Sequence, residues 1–147
     1  MSFVVRRGRC YNKYVAGSEQ SGQKKHVLVV DDEPGVGNVL RIKLRIAGFD
    51  VTTTTSGAKA IELVRTQEPD VVLLDILMPD VSGFEVLEKV RTFSSVPIIV
   101  FTARREVVEE AMQNGANDSI TKPFDPDQLI EKIESVLSKT NQNPLAP

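Results

Sequence analysis

Beyond residue 25 the apolar residues fall into two alternating kinds of stretch. Val27-Leu28-Val29-Val30 and Val71-Val72-Leu73-Leu74 are unbroken runs, and Val96-Pro97-Ile98-Ile99-Val100-Phe101 is a third with its proline near the start. Runs with no polar alternation read as strands buried on both faces, as in a parallel sheet. Phe49 to Thr55 is rich in β-branched residues and predicts another strand, and Ser119-Ile120-Thr121 a weaker one. Between these runs, apolar residues recur at three- and four-residue steps, the spacing of one helix face.

The first helix buries Val36, Val39, Leu40, Leu44 and Ala47 and ends at Gly48. The second starts from Ser56 and turns Ala60, Ile61 and Val64 inward. Ser82-Gly83-Phe84-Glu85 has capping-box spacing and opens a third, with Phe84, Leu87 and Val90 inside. The fourth carries Val107, Val108, Ala111 and Met112 and stops at Asn114-Gly115. Asp125 caps the fifth, with Pro126 at its first position and Leu129, Ile130, Ile133, Val136 and Leu137 on its inner face. Strand and helix thus alternate five times with short connections, which predicts a doubly wound α/β domain with right-handed crossovers.

Composition narrows the class. The 147 residues suit one domain with a real core, and 41% hydrophobic with 26% charged residues is ordinary globular usage. No apolar run is long enough to cross a bilayer, and the first ten residues lack the apolar stretch of a secretory signal. Cys10 is the only cysteine, so neither an internal disulfide nor a cysteine metal cluster is available, and a cytoplasmic setting is expected.

The net charge of −2 conceals an asymmetry: residues 1–25 hold Arg6, Arg7, Arg9, Lys13, Lys24 and Lys25 against Glu19, or +5, which leaves −7 for the rest. An acidic body of this kind does not favour nucleic acid. The leader, residues 1–25, is expected to be a disordered tail or an expression remnant rather than a nucleic-acid or membrane arm. The domain is expected over 26–139, with 140–147 a polar tail or the start of a linker. Either it stands alone or it belongs to a longer chain.

In a doubly wound sheet the site forms outside the carboxyl ends of the strands. The first strand delivers Asp31 and Asp32 there, the third Asp75, the fourth Thr102 and Ala103, and the fifth Lys122 and Pro123. Three crowded carboxylates raise one another's pKa unless a cation relieves them. Mg²⁺ suits such a site, taking one or two carboxylates and keeping several waters. Lys122 adds a fixed positive charge. A carboxylate among cations is a fit nucleophile for a phosphoryl group, with Thr102 and nearby amides as donors to its oxygens.

These residues carry a resemblance. Val29-Val30-Asp31-Asp32-Glu33, Leu74-Asp75-Ile76-Leu77-Met78-Pro79 with Gly83, Phe101-Thr102-Ala103 and Thr121-Lys122-Pro123-Phe124 resemble the receiver domain of two-component response regulators. The likeness runs from His26 to about Lys139. It implies a flavodoxin-like fold with five strands in the order 2-1-3-4-5 and five helices. It implies that Asp75 accepts a phosphoryl group from a phosphohistidine on a sensor histidine kinase or histidine phosphotransfer protein. Asp32, Asp75 and the Leu77 carbonyl would then hold Mg²⁺, with Asp31 acting through water.

Lys122 would pair with the acceptor and then the phosphate, Thr102 would reorient towards the phosphate, and the Lys122-Pro123 peptide would be cis. The implied protein is a switch rather than an enzyme with a free product, though it assists its own phosphorylation and dephosphorylation. Its output surface would serve a downstream partner or a phosphorylation-dependent homodimer. The family's aromatic residue three positions before the lysine is replaced here by Ser119, so readout on the face of the fourth helix, fifth strand and fifth helix is expected to be built differently.

Other readings fit less well. Gly35-Val36-Gly37 begins like a dinucleotide fingerprint, but Leu40 stands at the third glycine and the neighbouring acids repel a pyrophosphate. The same acids argue against a flavin mononucleotide site. A haloacid-dehalogenase-type phosphatase needs a second acid where Leu77 stands. A receiver-like interaction module that is never phosphorylated is the main alternative. His26, a lone histidine at the start of a strand, is expected at the surface with no role as phosphodonor.

Overall fold

Strand β1, His26–Val30, lies at the interior of a five-stranded parallel sheet in the computed structural model, which describes residues 3–6, 9–12 and 24–142, with side chains over 24–139. The elements follow as α1 (Pro34–Ile46), β2 (Asp50–Thr54), α2 (Gly57–Gln67), β3 (Val71–Asp75), α3 (Gly83–Arg91), β4 (Ile98–Thr102), α4 (Val108–Gln113), β5 (Asp118–Thr121) and α5 (Pro126–Gln142). The sheet order is β2-β1-β3-β4-β5, as the resemblance implied, and every pairing is parallel.

The unbroken apolar runs have the burial that their pattern predicts. Every residue of β1, β3 and β4 is buried, because helices cover both faces. Alternate residues feed two cores. Leu28, Val30, Val72, Leu74, Ile98 and Val100 pack with residues of α2, α3 and α4. Val27, Val29, Val71, Leu73, Ile99 and Phe101 pack with Leu40 and Leu44 of α1 and Leu129 and Ile133 of α5. Each such side chain contributes roughly 1.5–3 kcal/mol by leaving water. The edge strands β2 and β5 are only half-buried, which matches their threonines and serine.

Caps appear where the sequence places them. Ser56 Oγ accepts from the Lys59 amide, Ser82 Oγ from the Glu85 amide, and Asp125 Oδ1 from the Asp127 amide. Gly48 ends α1 and Gly115 follows α4 at φ values of +101° and +110°, in the region that disfavours a side chain.

Several expectations need correction. Val39 of α1 is exposed, as is Ala47, while Gly37 is buried. In α3 Val86 is fully buried and Phe84 only partly so. Ile61 of α2, and Ile130 and Leu137 of α5, are likewise only partly buried. The fourth helix is six residues long, preceded by a 3-10 turn at Arg105–Val107, so of its expected inner face only Ala111 is fully buried and Met112 is exposed.

His26 is buried, not at the surface: its Nε2 lies 2.8 Å from Thr52 Oγ1 and its amide donates to Asp70 Oδ2 at 2.7 Å. The leader, expected to be disordered, contains an antiparallel ribbon in which Phe3–Arg6 pairs with Arg9–Asn12. The rest of the leader before Lys24, and residues 143–147, lie outside the described residues. Helix α5 runs past the expected boundary at Lys139 to Gln142.

Candidate functional site

The register of the sheet brings the strand-end residues to one edge. Leu74 pairs with Val30 and Asp75 with Phe101, so Asp31 lies beside Asp75 and Thr102 stands one residue further along its strand at the same edge. Asp31, Asp32 and Asp75 each offer a carboxylate oxygen, and the three oxygens lie within 4.8 Å of one another. Asp31 and Asp75 are buried and Asp32 is half-buried.

The fixed contacts show how the cluster is held. Lys122 Nζ reaches over from β5 to Asp31 Oδ2 at 3.0 Å and Asp75 Oδ2 at 3.4 Å. The second oxygen of each acid takes a backbone amide: Glu33 donates to Asp31 Oδ1 at 2.8 Å, and Leu77 to Asp75 Oδ1 at 3.0 Å. The Lys122-Pro123 peptide is cis. Beneath the ammonium lies the Phe101 ring, 4.9 Å from Nζ to its centroid, and Phe124 packs edge-on against Phe101 at 6.0 Å. The two rings form a hydrophobic support for the lysine. The Thr-Lys-Pro-Phe motif held that signal, but sequence spacing alone assigned the phenylalanines no part.

Burial pushes the Asp75 carboxyl up from 3.8 to about 6, opposed by the Leu77 amide and by Lys122, and reinforced by Asp31. Burial works to lower the Lys122 pKa. The hydrogen bond to Asp31 and the charges of Asp75 and Asp31 more than offset it, so the ammonium is held protonated. Lys122 is the one cation that the described residues bring to three carboxylates. With all three ionised, two negative charges stay uncompensated, and a hard divalent ion fits both the oxygen donors and the charge.

Gly83 shapes the loop after the acceptor. A Cβ there would collide with Ile76 Cα and lie 2.5 Å from the Asp75 carbonyl oxygen, while the Gly83 amide donates to Ile76 O at 2.9 Å. Only glycine lets α3 begin this close to the strand end, which in turn sets where Leu77 hangs. The Leu77 side chain is 40% exposed at the rim, and it offers no proton where a dehalogenase-type phosphatase has its second acid.

Thr102 is fully buried. Its Oγ1 accepts from the Arg104 amide at 3.1 Å, and its carbonyl accepts from the Lys122 amide at 2.8 Å, tying the ends of β4 and β5 together. The Arg104 side chain is turned to Glu106, 2.6 Å away, and that pairing holds the exposed Glu106 carboxyl below the usual range. Ser119 sits on β5, half-buried and away from the acids. His26 lies at the opposite end of the sheet, at the start of β1.

The geometry matches a family. The model of the response regulator receiver domain covers residues 27–134. This chain is a response regulator receiver domain. It is 40% identical over 121 residues to "Probable transcriptional regulator ycf27" of Guillardia theta, covering 81% of this chain and 48% of that protein. To the DNA-binding response regulator MtrA of Mycolicibacterium smegmatis it is 36% identical over 123 residues, covering 82% of this chain and 54% of the relative. The receiver thus spans about half the length of the curated relatives it matches.

Among solved structures, the receiver domain of the Francisella response regulator 1452 superposes with a TM-score of 0.75 at 30% identity, covering 80% of this chain and 99% of that one. The receiver domain of the sensor histidine kinase PA1611 from Pseudomonas aeruginosa, described with a magnesium ion coordinated in its active-site cleft, gives a TM-score of 0.73 at 28% identity. It covers 78% of this chain and 98% of the other. As a response regulator receiver domain, the chain belongs to two-component signalling. No helix among the described residues is long and apolar enough to cross a membrane.

Proposed function

We propose that this receiver is a working phosphoacceptor: a Mg²⁺-dependent switch, operating in the cytoplasm, that takes a phosphoryl group from a donor histidine onto Asp75. The observation that carries this reading is the clustering of three carboxylate oxygens within 4.8 Å of one another, with one ammonium paired to two of the acids. An interaction module that is never phosphorylated has no use for so costly an arrangement of buried charge.

Asp32, Asp75 and the Leu77 carbonyl would hold the metal, with Asp31 behind them. Bound there, it neutralises the acids and the incoming phosphoryl oxygens and favours the ionised acceptor. The chain's own part is positional. The Leu77 amide holds one Asp75 oxygen in place at 3.0 Å and leaves the other facing Lys122. That second oxygen attacks phosphorus, the P–O bond forms as the donor's P–N bond breaks, and the electron pair returns to the donor imidazole. Lys122 stays protonated and exchanges a carboxylate partner for a phosphate one. Thr102 then leaves the Arg104 amide to donate its hydroxyl to the phosphate. The protein releases no small-molecule product, so it acts as a signalling switch.

A docking face for the donor adjoins the site. A groove of about 870 Å³ lies beside Asp32 and Lys122, lined by Val36, Val39, Leu40, Phe124 and Pro126 among others. From Val39 on its wall, α1 carries Ile42 and Ile46 onward outside the groove; the three are 54%, 58% and 79% exposed and share one helix face by their spacing. Three apolar side chains in a stripe beside the acceptor suit an amphipathic helix that presents a phosphohistidine.

The direct test is incubation of the protein with acetyl phosphate and Mg²⁺, and separately with beryllofluoride, against Asp75→Ala. The expected result is a mass gain of one phosphoryl group, labile to hydroxylamine, in the wild type alone and only with the divalent ion. A folded wild type that gains no phosphoryl group and takes up neither Mg²⁺ nor beryllofluoride would leave the interaction-module reading in its place.

A further inference from the structure

Strand β5 is four residues long and lies at the edge of the sheet, yet it delivers Lys122 to the acids. Of its residues only Ile120 is buried. An edge strand with one core residue has little hydrophobic pattern to fix its register, and a slip of one position turns every side chain to the other face. Such a slip would carry Lys122 away from Asp31 and Asp75. Something besides burial must hold the strand in place.

The start of the strand shows what does. Asn117, just before β5, is joined to Ile98, the first residue of β4, by two hydrogen bonds. The Asn117 amide donates to the Ile98 carbonyl and the Ile98 amide to Asn117 Oδ1, both at 2.8 Å. Arg91, the last residue of α3, holds that clamp shut. Its Nη2 donates to the same Oδ1 and to the Gly115 carbonyl, each at 2.8 Å. Its Nε donates to the Gly115 carbonyl at 3.0 Å, and its Nη1 to the Ser94 carbonyl at 3.2 Å. All four contacts are to neutral oxygens, so the guanidinium serves placement here. One side chain thus ties the turn leading into β5 to the loop leading into β4.

From this clamp the ladder runs unbroken, from Ile99 opposite Asp118 to Thr102 opposite Thr121. It ends where the Lys122 amide donates to the Thr102 carbonyl at 2.8 Å. Asn117 and Lys122 are therefore the two ends of one extended segment, about 16 Å apart at the rise of a strand.

We propose that Arg91 is a positioning residue for the acceptor site: by orienting Asn117 it sets the register of β5 on β4, and so places the Lys122 ammonium against Asp31 and Asp75. The inference rests on Asp75 as phosphoacceptor and adds to it a residue at the opposite end of the sheet.

The test measures phosphorylation of the full chain by acetyl phosphate at saturating Mg²⁺, with folding of each variant checked by circular dichroism. Arg91→Ala and Asn117→Ala should each slow it about tenfold to a hundredfold, the cost of a displaced catalytic group. Asn117→Asp keeps an acceptor oxygen for both Ile98 and Arg91 and should stay within about twofold of the wild type. The decisive readout is non-additivity. If Arg91 acts through Lys122, Arg91→Ala should slow Lys122→Ala no further, whereas a general structural defect would slow both backgrounds alike. Should Arg91→Ala not fold, Asn117→Ala carries the same comparison.

A second readout needs no phosphoryl group. In metal-free protein, Arg91→Ala should speed hydrogen exchange of the Lys122 amide about tenfold more than that of the Val29 amide in β1. The proposal is overturned if folded Arg91→Ala is phosphorylated at the wild-type rate, if its effect persists in Lys122→Ala, or if exchange at Lys122 rises no more than at Val29. A wild type that takes no phosphoryl group would end the acceptor reading instead, and exchange at Lys122 would then decide the placement by itself.

Discussion

The two ends of the same sheet solve the problem of buried polar groups in opposite ways. At the amino end, polar partners from neighbouring elements surround one imidazole: His26 lies against Thr52, Thr52 donates to Gln67 Oε1 at 3.0 Å, and Asp70 accepts the His26 amide. At the carboxyl end, three acids lie within 4.8 Å of one another with a single ammonium paired to two of them, and burial lifts the Asp75 pKa to about 6. The first arrangement pairs its groups within the protein and contributes stability. The second is left short of positive charge, and that shortfall can be met by a metal or a ligand. A receiver keeps its chemistry where compensation is incomplete.

Replacing a buried polar group should therefore differ in sign between the two ends, while a steric change at the acceptor loop costs stability outright. The largest effect is expected from Gly83→Ala, which forces a methyl group into Ile76 and the Asp75 carbonyl and costs about 2–4 kcal/mol in urea unfolding. Loss below about 1 kcal/mol would show that the acceptor loop yields easily.

Next comes Asp75→Asn, expected to stabilise the metal-free protein by about 1–3 kcal/mol at pH 7. The folded state keeps the Asp75 proton up to about pH 6, while the unfolded chain releases it near 3.8. Metal-free stability of the wild type should accordingly fall as pH rises from about 4 to 6. That slope should be absent in Asp75→Asn, as read from urea midpoints in chelator.

At the amino end His26→Ala should cost about 1–2 kcal/mol while leaving acetyl phosphate incorporation unchanged. Equal signs for His26→Ala and Asp75→Asn would break the contrast between the ends. Mg²⁺ at ten times its Kd should add about 1.4 kcal/mol to the wild type and little to Asp75→Asn, since one ligand is lost. The smallest change is expected at Lys132→Ala, whose half-exposed pair with Asp118 contributes under about 0.5 kcal/mol.

Much of this was legible along the chain, and the failures have physical reasons. Unbroken β-branched runs could bury only in a parallel sheet, so the five strands and the edge where their acids meet were readable. Helix faces were read less well. Val39 has helical spacing with Leu40 and Leu44 but lies on the flank that turns to solvent, which periodicity alone does not separate from the core. Met112 was assigned inward on a helix that proved too short to present it. His26 was read as a surface residue because nothing local announces Thr52 and Asp70, which lie 26 and 44 residues away. The pairing of Phe3–Arg6 with Arg9–Asn12 was missed because the +5 charge of residues 1–25 outweighed the short apolar run Phe3-Val4-Val5.

The sequence by itself determined the alternation of strand and helix, the caps, and which acids, hydroxyl and amine end the strands, because these follow from local periodicity and side-chain chemistry. Only the tertiary structure decided that three carboxylates come within 4.8 Å and that Lys122 bridges Asp31 and Asp75 above Phe101. Those facts depend on strand order and register. Register couples residues up to 91 positions apart, beyond the reach of any local pattern.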